Sequence, residues 1–250
     1  MTPPTVTPQS SAAPANICSG AGRGTTGHRA FTRVELCAGL AAAALLALLA
    51  LPALASSQSR GQVAQCLNNL RLMGRAVQMW ASDSNSMMPP WRTPQTEGGT
   101  MSPPPNRPGN SWFELQFMSN QLSTPRILAC PADKGVRVAK DFSEFVTVPY
   151  RNNSVSYFIN LHTSVEQPET ALFGDRNLSL SPPVACALIG INDANLFTTA
   201  TAWTNAVHGL SGNIVTMDGR VAQTSTPELQ TALLRSQAEG PNVVHLLKAR

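Results

Sequence analysis

The chain has 250 residues, of which 42% are hydrophobic and only 13% charged, with a formal charge of +4 and a pI near 9.0. Two of its 18 basic residues, Arg23 and Arg29, lie in the first thirty positions. That leaves 16 against 14 acidic residues, or +2, scattered without any block of like charge, which argues against nucleic acid as a partner.

Residues 1–30 are rich in Pro, Ser, Thr, Ala and Gly and have too few apolar side chains to bury a core, so they read as a disordered leader. From Leu36 to Ala55 there follow twenty residues without a charge, nine of them Ala and eight Leu. None is β-branched, so helix propensity is high, and the run suffices to cross a hydrocarbon layer of about 30 Å. Glu35 stands at the mouth of this run, where a carboxylate is costly without a partner. Arg23, Arg29 and Arg33 precede the run, and no basic residue follows until Arg60. This asymmetry keeps the N-terminus cytoplasmic and sends the rest of the chain outward. A rival reading uses Ala53-Leu54-Ala55 before Ser56 as a signal-peptidase site that would release the domain.

Phe31-Thr32-Arg33-Val34-Glu35-Leu36, followed by an apolar helix containing Pro52, resembles the processing site and membrane helix of type IV prepilins and type II secretion pseudopilins. The resemblance implies cleavage between Ala30 and Phe31 by a prepilin peptidase and methylation of the new N-terminus. It also implies pairing of Glu35 with the Phe31 amine of a neighbouring pilin-like subunit in a homo- or hetero-filament. Two residues depart from the family pattern. Ala30 stands where Gly is usual, and Arg33 replaces an aliphatic residue and offers Glu35 a competing partner.

Beyond the apolar run, Val63, Leu67, Leu70, Val77 and Ala81 recur at helical steps with Cys66, Met73 and Trp80 beside them, while Arg60, Arg71 and Arg75 lie off the stripe. One helix from Phe31 to Ala81 would be on the order of 75 Å long, kinked at Pro52. It would divide at residue 56 into a membrane part, 31–56, and an extramembrane part, 57–82, with a globular head over 83–250. Ser82-Asp83-Ser84-Asn85 and Pro89-Pro90 would end it. The Pro- and Gly-rich stretch 86–111 reads as a surface connection without a core element. Trp112–Leu122 reads as a short helix and Ile127–Cys130 as a short strand. Ser154–Leu161 and Ala171–Phe173 carry strand signals, and 178–204 is ambiguous. Asn213–Met217 and Arg220–Thr224 form a hairpin around Asp218-Gly219 as a two-residue turn. Thr226 would cap a helix with Pro227 in its first position. The fold class expected is α+β and pilin-like, a long N-terminal helix packed on an antiparallel sheet.

Further segments extend the resemblance, toward prepilin-like families of planctomycete and verrucomicrobial type. They are Gln65 to Gly74, Cys130-Pro131-Ala132-Asp133, Gly174-Asp175-Arg176-Asn177, and His208 followed after nine residues by Asp218-Gly219, similar to the H-X9-DG signature. The family assigns these residues no role. His208, Asp218 and Asp175 are the set one would gather into an acid–base or metal site, but no pair has ligand spacing on a helix. Asp218 suits a turn, and His208 suits hydrogen bonding within the fold.

No cofactor is expected; a structural divalent cation such as calcium stays open without support, since no calcium-loop motif occurs. No nucleophile motif occurs either, and the chain is not expected to be an enzyme. Of five cysteines, Cys66, Cys130 and Cys186 lie outside leader and membrane helix, leaving three pairings open. A Cys66–Cys130 bridge would tie helix to head. The reading that results is a single-pass structural subunit of the bacterial inner membrane with its head periplasmic or extracellular. The alternatives are a binding module that recognises polysaccharide or a small ligand through Trp80, Trp91, Trp112 and Trp203, and, third, an enzyme using His208 and Asp218.

Overall fold

The computed structural model describes residues 32–86, 88–101, 110–161, 163, 166, 168–179, 188–191, 201–238 and 244–248. The leader with Ala30, Phe31, Cys186 and residues 102–109 of the proline-rich stretch lie outside the described residues.

Helix α1 runs from Arg33 to Asp83, 51 residues. Its residues Arg33–Leu51 have a mean hydropathy of 2.3, and none of them is buried. By length and composition they could cross a membrane, a property shared by anchors and signal sequences. The later part of the helix buries Cys66, Leu70, Met73, Val77 and Trp80, at steps of three and four residues that make one face. This stripe is rotated from the one the sequence suggests, for Val63 and Leu67 are only half-buried. Gly74 explains the close approach on this face. A Cβ there would stand 3.1 Å from Val215 of the sheet, so the helix backbone can come nearer than any larger residue would allow.

Six strands form one sheet: β1 (Tyr157–Asn160), β2 (Ala171–Asp175), β4 (Leu188–Ile191), β6 (Gly212–Thr216), β7 (Val221–Thr224) and β8 (Val244–Lys248). Their order is β4-β8-β1-β2-β6-β7, and every neighbouring pair is antiparallel. A separate pair joins β3 (Leu178–Ser179) to β5 (Ala202–Trp203). β1 and β2 are buried throughout, because the sheet is covered on both faces. Tyr157, Ile159, Phe173 and Val215 face α1, with Leu115 of the short helix α2 (Ser111–Phe117), Leu122 of α3 (Ser119–Leu122) and Met118 between the two in the same core. Phe158, Ala171 and Ile214 face the other way, toward Leu229 and Leu233 of a C-terminal helix, Thr226–Ala238. The alternation breaks after Ala171, where the register with β6 shifts. The fold is therefore α+β, with a long apolar N-terminal helix whose later half packs on an antiparallel sheet.

Four local expectations need correction. Pro125–Leu128 is a 3-10 turn rather than a strand. Pro125 lies at its start, and Thr124 caps it by accepting the Arg126 N–H. The connection after α1 is no mere surface loop, since Trp91 is fully buried with its ring edge-on to Phe173, 5.8 Å between centroids. The β6–β7 turn has three residues, Met217–Gly219. The Gly219 N–H donates to Thr216 O, and Gly219 sits at φ +84° as the residue that closes a bulged hairpin. Ser225, not Thr226, caps the C-terminal helix, because its N–H and hydroxyl both donate to Glu228 while Leu229 N–H returns to Ser225 O.

Candidate functional site

Two places carry the residues that the sequence marks out. The first is the start of α1, where Thr32-Arg33-Val34-Glu35 closes a capping box. The Thr32 N–H and hydroxyl donate to Glu35 Oε2 at 2.8 and 3.0 Å, and the Glu35 N–H donates back to Thr32 Oγ1 at 3.3 Å. Within one chain the carboxylate is thus held by the backbone it caps. The T-x-x-E spacing is a readable signal for this arrangement.

The second place lies in the head, where segments far apart in the chain converge. Cys66 of α1 is joined to Cys130 by a disulfide across a sequence separation of 64 residues. His208, from the loop between β5 and β6, places Nε2 3.3 Å from Cys130 Sγ and 3.6 Å from Asp175 Oδ2. Asp175 ends β2, and its Oδ2 accepts the backbone N–H of Asn213 at 2.6 Å. Arg176 forms a two-pronged pair with Asp133, Nε to Oδ2 at 2.7 Å and Nη2 to Oδ1 at 2.9 Å. Asp133 also accepts from Ser156 Oγ at 2.8 Å and from the Gly135 N–H at 3.0 Å. Asn177 donates to Thr204 O and Ser211 O and so clamps both ends of the loop that carries His208. Gly174 admits this packing, since a Cβ would lie 2.5 Å from the Phe158 ring and 3.0 Å from Asn213 O.

All four motif segments thus contribute to one site, Cys66 and Asn69 from Gln65–Gly74, Cys130–Asp133, Gly174–Asn177, and His208. Asp218 and Gly219 do not. His208 precedes the five-residue strand β6 and Asp218 follows it, so the nine intervening residues place the two at opposite ends of that strand. Asp218 instead takes the Thr216 hydroxyl, the Arg220 N–H at 3.1 Å and Arg220 Nε at 2.6 Å within the turn. An acid–base pair of His208 with Asp218 is not formed. Asn69, Tyr157 and Ser156 belong to the site without having been singled out in the sequence. Asn69 Nδ2 donates to Ala129 O at 3.1 Å and reaches Tyr157 Oη at 3.5 Å, and it falls inside the Gln65–Gly74 landmark that could have pointed to it.

Burial governs the electrostatics. It pushes the Asp175 carboxyl up to about 7, against hydrogen bonds from Asn213 that lower it, and the charge of Asp133 adds to the rise. Burial also pushes His208 below its ordinary value, with Asp133 opposing. Burial thus works against charge on both partners of the 3.6 Å contact between His208 and Asp175. The Tyr157 hydroxyl is raised by burial and by Asp175. The charged partners are Asp133 and Arg176, whose side chains are 6% and 11% exposed.

Outside the cluster, a groove of about 320 Å³ is lined by Ser59, Arg60, Val63, Ala64, Leu67, His208 and Gln223. The tryptophans form no common face. Trp80, Trp91 and Trp203 are buried, and Trp112 is half-buried with Arg151 stacked 4.9 Å from its ring centroid.

The class these features define is an α+β head whose sheet is backed by a long N-terminal apolar helix. Comparison with protein-family models, with curated proteins and with solved structures finds no match for the chain.

Proposed function

We propose that the chain is a membrane-anchored, prepilin-like structural subunit, cut between Ala30 and Phe31 by a prepilin peptidase and held in the bacterial inner membrane with its head outside. The observation that carries this reading is the contrast within α1. The nineteen residues Arg33–Leu51 are unburied and, from Leu36 on, without charge, while the same helix further on is the backbone of a folded head. A helix that exposes Leu36, Leu45 and Leu49 needs a lipid or protein environment over that stretch. The Phe31-Thr32-Arg33-Val34-Glu35 sequence ahead of it supplies the processing and assembly chemistry.

In a filament the Phe31 amine of a neighbour competes with Thr32 for Glu35, and a full positive charge is the stronger partner in a medium of low dielectric. The buried knot of Cys66, Cys130, Asp133, Arg176 and His208 then serves rigidity, fixing the head on its helix so that packing of helices orients the heads. The test has two parts. Mass spectrometry of the mature chain should find a methylated Phe31 at its N-terminus, whereas Ser56 would mean release by signal peptidase and Met1 would mean no processing. Glu35→Gln should leave cleavage and anchoring intact and reduce subunit-to-subunit crosslinking in the membrane. Undiminished crosslinking would overturn the assembly role of Glu35.

A further inference from the structure

We propose that Cys66, Cys130 and His208 form a thiolate–imidazole site for zinc that opens when the Cys66–Cys130 bond is reduced. The three ligand atoms already lie within 4.8 Å of one another, on three separate segments of a packed head. His208 Nε2 stands 3.3 Å from Cys130 Sγ. Nitrogen and sulfur ligands on a tetrahedral zinc are separated by about 3.5 Å, given bonds of about 2.0–2.1 and 2.3 Å. Once the bond is broken the two sulfurs separate to roughly van der Waals distance, close to the 3.8 Å or so between thiolates that share a zinc.

A second observation points the same way. Asp175 Oδ2 is 3.6 Å from the same His208 nitrogen, and its Oδ1 is fully buried without a hydrogen bond of ordinary geometry. An acid buried in this way is costly to ionise, and a dication beside it removes that cost. Asn177 holds both ends of the loop that carries His208 from outside, which is the support that a metal ligand needs. The groove lined by Ser59, Arg60, Leu67 and Gln223 has His208 in its wall and gives the ion a route from solvent.

The chemistry balances with a dithiol or phosphine as reductant. A dithiol delivers two electrons and two protons to the disulfide and becomes a cyclic disulfide; a phosphine delivers the two electrons and becomes a phosphine oxide, taking its oxygen from one water whose two protons end on the thiols. Zinc then displaces both thiol protons to solvent. The bridge and the metal are alternative cross-links between α1 and the head, so the tie survives in either redox state.

The test uses the full chain in detergent with Cys18, Cys37 and Cys186 replaced by Ser, reduced by a phosphine without oxygen and titrated with cobalt(II). One cobalt per chain should bind, with thiolate charge-transfer absorption and the intense visible bands of a tetrahedral ion, and zinc should displace it. The oxidised chain should show neither. His208→Ala should weaken binding at least tenfold, and a further Cys66→Ser change should abolish the charge-transfer band. Reduced chain that keeps its circular dichroism but binds cobalt no more tightly than the oxidised chain would overturn the site. Should reduction loosen the head, the thermal midpoint of the reduced chain is compared in zinc and in chelator. The proposal requires a higher midpoint in zinc, and equal midpoints would overturn it.

Discussion

Residues 33–51 and residues 66–81 belong to the same helix, yet they are helical for different reasons. The first stretch is Ala- and Leu-rich, closed at its start by the Thr32–Glu35 capping box, and unburied along its length. Its helicity rests on propensity and, on the proposed membrane placement, on the internal satisfaction of backbone groups that a lipid interior would demand. The second stretch carries Gly74, Asn69 and Cys66, poor helix formers that a propensity argument would discourage. It is helical because those residues fit the sheet. Gly74 admits Val215, Asn69 satisfies Ala129 O, and Cys66 bonds Cys130. Local preference suffices where the surroundings are uniform, and specific contacts take over where another layer must be matched.

This contrast breaks most sharply at the buried ion pair. Asp133→Ala leaves Arg176 without its two-pronged partner in the interior and should cost the head about 3–5 kcal/mol. Urea denaturation followed by near-ultraviolet circular dichroism reads that loss, while the share of chain in the membrane fraction should stay constant. The converse change is Leu46→Arg in the apolar stretch, where a charge near the centre of a membrane helix costs about 2.5–3.5 kcal/mol. Carbonate extraction should then release more of the chain, with the head's urea midpoint unmoved. A shift of that midpoint would show that the two stretches are not independent.

Smaller effects sharpen the distinction. Gly174→Ala forces a methyl against the Phe158 ring and Asn213 O, and about 1–3 kcal/mol of head stability should be lost. The two helix caps make the finest comparison. Ser225→Ala removes the hydroxyl that donates to Glu228 and should lower head stability by about 1 kcal/mol. Thr32→Ala removes the equivalent hydroxyl at the start of α1 and should leave thermal unfolding of the head unchanged.

How far the sequence could be read depends on how local each signal was. The apolar run, the helix that continues beyond it, and the strands at 157–160 and 171–175 were legible from periodicity and composition. The hairpin was legible in place but not in type. Asp-Gly suggests a two-residue turn, whereas the left-handed Gly219 closes a three-residue one. The Ile127–Cys130 segment misled because four apolar residues look alike in a strand and in a buried turn, and Pro125 two positions earlier settles the matter. Trp91 misled because the prolines around it announce a loop, and nothing local says that a loop will lay an indole on Phe173.

By itself the sequence determined the charge-free run at the start of the long helix and the α+β class, because each depends on neighbours within about four positions or on alternation along a strand. Only the tertiary structure decided which side of the helix faces the sheet, and that Cys66, Cys130, Asp133, Asp175, Arg176 and His208 share one buried site while Asp218 does not. Those meetings join residues tens of positions apart. They follow from strand order, from the register that pairs Gly174 with Ile214, and from the close approach at Gly74, and none of these leaves a mark in a short stretch of chain.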